Sequence, residues 1–520
     1  MRLRLDNLQI RVTDLPFDAP AAEPLLKPFI AAHCGVSEAE VLNYEVAAKS
    51  IDGRRKPPSL IYSLHVELAR KPSCRFAGVP VMEPFKGVEN PRRMLHPIVV
   101  GTGPAGLLAA WQLAAAGCRP LILDRGYDVE TRAADIVRFR LGRVLNSESN
   151  YLLGEGGAGT FSDGKLYTRT RDPNIRFILE AFVRHGAPPE ILYLKRPHIG
   201  SDRLPLMIAG IRREIESLGG TFRFGCGVRS ILVRDGRCAG VETLNGERID
   251  APAVLVGHGL GGRGLTLELI RLGLSMQLKG FQVGCRIEHP QEMMDRHQFG
   301  LRRRPAFLGA AEYNFVSHPP QAKGVSTFCM CPGGEIVPST AFPGRLSTNG
   351  MSPCRRDGQY ANSCLITTLE PETFASPLDA FEFLAGLERR AFKLGGGDYT
   401  APAQSGAGFV RQEAVVQQKG GSYCFGHRAA PLHQLLPKQE SAALAAALVH
   451  FEKICPGFMS RGTLVGVETY VSSPVRFLRD EHGESSLPGL FLAGEGAGAA
   501  GGIMSAAADG LKVAGGMLGA

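Results

Sequence analysis

The apolar positions of this chain recur with two periods, and the switches between them outline its parts. At the start, LRLDNLQIRV and SLIYSLHVEL alternate apolar with polar residues, the period of a half-buried strand. Between them AAEPLLKPFIAAHCG has helical spacing and stops at Gly35. Ser37 with Glu40 then forms a capping box at the head of a second helical stretch, SEAEVLNYEV. Residues 1–90 therefore read as a small α+β module, ferredoxin-like in its elements. Residues 80–97 read as a proline-bearing linker without periodicity.

From there the pattern turns to a buried strand, a helix and a second buried strand: PIVVGTGPAGLLAAWQLAAAGCRPLILDRG, residues 97–126. Gly101, Gly103 and Gly106 fall in the G-x-G-x-x-G order. The first allows the turn out of the strand, the second lets a pyrophosphate approach the backbone, and the third lets the helix pack on the sheet. The helix starting at Pro104 and Ala105 offers its unpaired N–H groups and positive dipole end to that phosphate. Asp124 closes the second strand where a carboxylate takes the hydroxyls of an adenosine ribose, with Arg125 beside it. A polar helix (ADIVRFRLGRVL) leads into GEGGAGTFSDGKLYTRT, residues 154–170. There Gly157, Gly159, Thr160, Ser162 and Lys165 describe backbone brought close to a ligand with polar groups at hand; a surface loop has the same composition. Hairpin dipeptides at Asp235-Gly236 and Asn245-Gly246 then mark a β-meander that returns to an apolar strand. That strand runs into a second G-x-G-x-x-G at Gly257, Gly259 and Gly262. No apolar strand ending in an acid follows it, so it reads as a glycine turn and not as an NAD(P) site; NAD(P)H would act only as a transient reductant bound by a less legible route.

Residues 274–473 mix helix and strand signals and read as an inserted α/β substrate domain. VGCRIEHP holds Arg286 and His289 on or beside a strand, His289 suiting either a structural hydrogen bond or proton transfer. In FCMCPGG, Cys329 and Cys331 on one strand would share a face, as a strained redox pair, a thiolate nucleophile or packed small side chains. The chain closes with GLFLAGEGAGAAGGIMSAAADG: a strand into Gly494-Glu495-Gly496, then Gly501, Gly502 and Ile503 opening an apolar helix. Two glycine-bearing strand ends, far apart in sequence, are what FAD requires; a bare NAD fold needs only the first. The expected architecture is α/β and α+β: a Rossmann-like FAD-binding domain with a β-meander (91–273 and 474–520), the insert and the N-terminal module.

Composition narrows this further. A net charge of +9 comes from 59 basic and 50 acidic residues among 520. The basic clusters at 54–56, 302–304 and 355–356 are short and scattered, which argues against a nucleic-acid stripe and suits solvated faces or anchors for an acidic small molecule. The N-terminus alternates and lacks the apolar core of a signal peptide, and no run reaches the length of a membrane span. The 12 cysteines show no framework spacing, as expected of reduced thiols in the cytoplasm, and no metal-ligand spacing occurs. The basic KSIDGRRKPP segment reads as an exposed loop, with RNA or partner-protein docking as its functional alternative.

The stretches GTGPAGLLAA, GEGGAGTFSDGKL, HIGSDRL, VGCRIEHP, FCMCPGGEIVPS, STNGMS, VETYVSSPVRFLRD and GEGAGAAGGIMSAAADG occur in order over residues 98–514. In them the chain resembles the bacterial FAD-dependent dehydrogenase family of largely unknown substrate, relatives of glutathione-reductase-like flavoproteins. The resemblance implies FAD held through Gly101, Gly103, Gly106, Asp124, Gly494, Glu495 and the 501–503 turn, with adenine near Val228. Three positions depart from the family wording: Asp124 where Glu is commoner, the GHGLGGRG turn after Gly257, and Tyr470 where arginine is expected. The function expected is hydride transfer through flavin N5 to or from an unidentified, possibly anionic small molecule. Lys165 would supply charge near flavin or substrate, Arg286 an anion anchor, His289 or Tyr470 proton transfer, and Cys329 or Cys331 thiol chemistry. The alternatives are an FAD-dependent monooxygenase and a flavin-containing binding protein that uses the N-terminal module.

Overall fold

The structure is a computed structural model and describes residues 1–80, 96–168, 171–319, 322–416 and 420–519. Most of the expected 80–97 linker lies outside the described residues.

In the N-terminal module, strands Arg2–Arg11 and Val41–Asp52 flank Ser59–Leu68 in an antiparallel sheet, with helix Lys27–Cys34 against one face. The apolar parity of the first strand shifts between Leu5 and Leu8, and a bulge with Asn7 at φ 63 absorbs the shift, so both pairs of apolar residues stay buried. The predicted helix after Ser37 is a correction. The capping box forms, with the Ser37 backbone N–H donating to Glu40 Oε2 at 2.8 Å, but it caps only the turn Glu38–Glu40. Val41, Tyr44 and Val46 then extend as a strand, because β-branched and aromatic side chains fit the pleated edge beside Ser59–Leu68. The module has the β-α-β-β half of a ferredoxin-like order. Ala77 bridges Arg4 at the edge a fourth strand would occupy. It docks through the Lys49 N–H to Tyr193 O bond (2.8 Å) and by sharing its core with Phe299, Phe307, Leu308 and Ala311.

The second sheet is parallel, ordered Leu490–Leu492, Val254–Val256, Ile98–Val100, Leu121–Leu123, Thr221–Arg223. Its central strands are short apolar runs buried on both faces, as parallel strands between helices must be. Helices Pro104–Ala115 and Ile503–Met517 pack on each other so closely that a Cβ on Gly510 would lie 2.0 Å from Ala105 O. The antiparallel meander Val228–Arg234, Arg237–Thr243, Arg248–Asp250 packs beside the sheet.

The third sheet is an eight-stranded, mainly antiparallel layer in which the strand Phe281–Pro290, buried from Val283 to His289, lies between Tyr360–Leu369 and Thr463–Glu468. Helices Pro377–Gly395 and Lys438–Ile454 cover it and close the largest core. A two-stranded ribbon, Met276–Leu278 with Val475–Phe477, joins its entry and exit at the parallel sheet. Among the described residues no helix is long and apolar enough to cross a membrane.

Candidate cofactor and substrate site

A single cavity of about 330 Å³ runs from the carboxyl ends of the parallel strands to the face of the inserted sheet. Its cradle end is built by glycines. Gly101 leaves its strand at φ 94, and a Cβ there would sit 2.6 Å from Gly257 O; one on Gly106 would sit 1.9 Å from Gly101 O. Gly106 therefore packs the helix against the turn and does not face the cavity. At Gly103 a Cβ would meet no protein atom within 4 Å: the space it would enter is the cavity. Gly103 has no side chain to cap the helix and Pro104 has no N–H, so the first N–H groups, from Ala105 onward, remain open toward the same space.

Asp124 lies on the cavity wall. Its Oδ2 accepts from the Thr102 N–H (2.9 Å) and hydroxyl (2.5 Å), and Oδ1 from the Gly126 N–H (2.8 Å). Arg125, on the wall beside Val228, is held by both oxygens of Glu148. Gly157 and Gly159 also line the cavity. Thr160 does not: its hydroxyl donates to Glu155 O (2.8 Å) and accepts from Arg132, a buried guanidinium that also binds Asn150 O (2.8 Å) and Glu155 O (2.7 Å). Thr160 is thus corrected from a ligand contact to a brace of its own loop.

The opposite lip comes from the far end of the chain. The Gly494 N–H donates to Asp509 Oδ2 (2.7 Å), which Arg479 pairs with at 3.0 Å. Glu495 faces the cavity and, among the described residues, its carboxylate accepts only the Ser473 N–H at 3.4 Å; burial pushes its carboxyl up to about 7, against the pull of Lys279. Gly501 is a further correction: it is off the cavity wall, where a Cβ would strike Glu495 Oε2 at 2.6 Å. Gly502, at φ 82, opens the helix and with Ile503 lines the cavity; Gly257 lines it from the neighbouring strand.

At the far end the walls are side chains. Lys165 Nζ pairs with Asp163 Oδ2 at 2.8 Å, and this carboxylate raises the ammonium despite burial. Asp163 is also gripped by Arg356 (2.8 and 2.5 Å), which reaches Glu312 as well (2.5 Å). Two cations thus share Asp163, and only Lys165 of the group's basic members lines the cavity. Cys329 is exposed to the cavity. It sits at φ 43 at a bulge in strand Val325–Pro338, its carbonyl held by Arg286 Nη1 (2.8 Å) and by the Cys331 thiol (3.2 Å). The bulge breaks strand alternation, which corrects the shared-face expectation: both cysteines border the cavity, but Cys331 is buried and Cys329 accessible. Open to the cavity but desolvated by the protein around it, the Cys329 thiol is pushed up to about 12, with Lys165 and Arg286 opposing.

Tyr470 projects from the end of Thr463–Glu468. Its hydroxyl is buried without a hydrogen-bond partner, and the Arg263 guanidinium lies 4.1 Å from its ring centre. Arg263 is fixed from behind by Glu388 (2.8 Å), which also accepts from the Thr469 hydroxyl (2.6 Å). His258, on the wall, contacts Thr266 Oγ1 at 2.7 Å and leaves Nδ1 without a partner; burial pushes it down to about 4, so it is neutral.

Two sequence expectations fail here. Arg286 is no anion anchor: it is wholly buried off the cavity, with Glu468 at 2.8 Å, Asn349 at 2.7 Å, Asn362 at 3.0 Å and Cys329 O occupying its nitrogens. His289 is no proton relay at the site. It contacts Phe458 O at 2.7 Å in the core of the insert, and burial pushes it down to about 4. Asp163, His258, Asn349 and Arg263 are at or behind the wall without having been singled out, and Arg356, read as part of a short basic cluster, lies behind it on Asp163. Only the glycines around His258 gave a signal in the sequence.

An open glycine cradle at one end, an acid at the end of the second strand, and a second glycine strand end across the cavity fit FAD. The turn after Gly257 does not form a second nucleotide unit, since the next strand, Met276–Leu278, leaves the parallel sheet to pair with Val475–Phe477. Among the described residues no His/Cys/Asp/Glu group is arranged to hold a metal.

The fold and cavity define a flavoprotein of the oxidoreductase type. A family model described as FAD-dependent protein, C-terminal domain-like, matches residues 280–471, and one for an NAD(P)-binding Rossmann-like domain matches residues 99–158. A Clostridium beijerinckii protein described as uncharacterized is 37% identical, the match covering 99% of this chain and 98% of its own length. The chain belongs to this family of FAD-dependent proteins. The structure of CtdE in complex with FAD overlays on 81% of this chain and 84% of its own, at 13% identity and a TM-score of 0.32. A geranylgeranyl bacteriochlorophyll reductase-like protein of Thermoplasma acidophilum does so over 81% and 77%, at 11% identity and 0.36. At those TM-scores neither overlay bears on the chemistry of this site.

Proposed function

We propose that the chain is an FAD-dependent reductase or dehydrogenase acting on a small anionic substrate bound between Lys165 and Tyr470. The observation that supports this reading most is the continuity of the cavity: the glycine cradle and the Lys165–Cys329–Tyr470 wall are two ends of one space. Bound there, FAD supplies hydride-level redox chemistry at its N5. Gly101, Gly103 and the N–H groups opening helix Pro104–Ala115 hold the pyrophosphate. Asp124 retains acceptor capacity for ribose hydroxyls beyond its bonds to Thr102, and Arg125 and Val228 border the adenosine end. Gly157, Gly159, Gly257, Gly494, Glu495, Gly502 and Ile503 enclose the remainder.

Lys165 has the cation that its shared carboxylate leaves incompletely neutralised, and it binds the substrate's anionic group. Tyr470, protonated because burial raises its phenol, donates the proton that accompanies hydride transfer in the reducing direction and takes it back in reverse. Arg263, stacked on the ring, fixes its orientation. NAD(P)H serves, if at all, as a transient reductant. The twelve free thiols suit a reducing cytoplasm.

The test is anaerobic titration of the purified yellow protein with carboxylate-bearing metabolites and their methyl esters, in oxidised and pre-reduced form. Change of flavin absorbance with an acid but not its ester supports the reading; equal response to both removes the anion from it.

A further inference from the structure

We propose that the face formed by the N-terminal module and the C-terminal end of helix Gln291–Phe299 docks an acidic protein. Two basic runs that look scattered in the sequence meet here. Lys56 packs so close to Gly300 that a Cβ on the glycine would lie 2.7 Å from its own, which sets the 54–56 run beside the turn that leads into residues 302–304. Lys56 is also near enough to His297 and Cys455 to act on both electrostatically, placing the end of helix Lys438–Ile454 on the same face. A Cβ on Gly457 would lie 2.8 Å from Met293 Sδ and 3.4 Å from Arg461 Cδ, which adds Arg461.

Among the described residues Arg55, Lys56, Arg302, Arg303, Lys453 and Arg461 have no ion pair, and all six are exposed. Of the acids nearby, Asp18 beside Phe17 is exposed and without an ion pair among the described residues, one carboxylate against six cations. Asp52, Glu292 and Asp295 are each bound to a further arginine of the face, Arg54, Arg296 and Arg304. Glu452 accepts from the N–H groups of Gly457, Met459 and Ser460. The face therefore carries a local excess of positive charge.

A polynucleotide would satisfy the cations alone. The face also exposes Ile51 (43%), Ile454 (40%) and Phe17 (39%), the last beneath Arg303 at 5.4 Å. Exposed isoleucines beside unpaired cations offer nothing to phosphates but give the desolvated anchors that protein interfaces use, so the observations favour an acidic polypeptide with interspersed apolar side chains.

The experiment measures fluorescence anisotropy of three probes on the full-length flavoprotein: a Glu-Asp-Leu repeat peptide, a Glu-Asp-Ser repeat of equal charge and length, and oligouridylate of equal charge. The leucine peptide is expected to bind about fivefold tighter than either other probe and to weaken between about 50 and 200 mM salt. The triple variant Arg55→Glu, Arg303→Glu, Arg461→Glu is expected to lose about tenfold or more in affinity for it with unchanged flavin absorbance and melting temperature. Replacing Ile51 and Ile454 by serine should abolish the preference for leucine over serine. The proposal is overturned if the triple variant binds the leucine peptide normally, if the two peptides bind alike, if oligouridylate matches or exceeds the leucine peptide, or if no probe binds at low salt. None of these outcomes depends on the substrate assigned to the cavity.

Discussion

At the cradle end of the cavity the wall is mostly backbone, and at the far end it is mostly side chain. Gly101, Gly103, Gly494 and Gly502 matter for what they lack, and each belongs to a turn fixed by the strand before it or the helix after it. Lys165 comes from a loop, Cys329 from a strand of the insert and Tyr470 from just past another, held by Asp163 of the same loop and by Arg286 and Arg263 from other segments. A backbone site tolerates almost no added atoms. A side-chain site tolerates substitution structurally and changes what it accepts.

The sharpest way to break this contrast is at Gly106 and Gly103. Gly106→Ala places a Cβ 1.9 Å from Gly101 O and should cost about 3 kcal/mol or more, with loss of flavin from the purified protein. Gly103→Val adds atoms only to the cavity and should leave apoprotein melting within about 2 °C while lowering FAD affinity about 100-fold. Equal destabilisation by both would mean that Gly103 is structural.

At the other end, Tyr470→Phe should retain FAD and lower kcat about 100-fold with KM little changed, as loss of a positioned proton donor does. Lys165→Met should do the converse, raising KM for the anionic substrate about 30-fold with a smaller change in kcat. A kcat loss from Lys165→Met that matched Tyr470→Phe would merge the two roles.

The smallest effect is expected at the join between the ends. Glu495 binds its proton more tightly folded than unfolded, its carboxyl being raised from 4.5 to about 7. It therefore contributes apoprotein stability that is full below about 4.5 and lost as pH rises through about 7. Glu495→Gln should flatten that part of the thermal stability–pH profile, by about 2 °C across the interval.

The same contrast explains what was legible in the sequence. The parallel strands and the glycine order around Gly101 were readable because a tight turn, a packed helix and a close approach each need glycine at a fixed offset. Arg286 was misread because a conspicuous arginine on a strand gives no sign of whether it faces a ligand or a buried Glu468, and here register puts it inside. His289 failed for the same reason, its ring lying against Phe458. Asp163 was passed over and Arg356 read only as part of a short basic cluster, because the two meet only where distant loops come together. The helix expected after Ser37 was lost to pairing with Ser59–Leu68, a long-range preference that overrode a correct local cap.

The close seating of helix Ile503–Met517 on helix Pro104–Ala115 also bears on how the protein is made. One lip of the cradle is translated early, but its partner strand, Leu490–Leu492, and the helix after it leave the ribosome nearly four hundred residues later. During that interval the apolar face of Pro104–Ala115 lacks its mate, and the flavin has only half a binding site. The cradle is therefore complete only when the two distant segments have docked. FAD that binds the docked pair should hold the two segments together, raising the melting temperature of the purified protein as flavin is added.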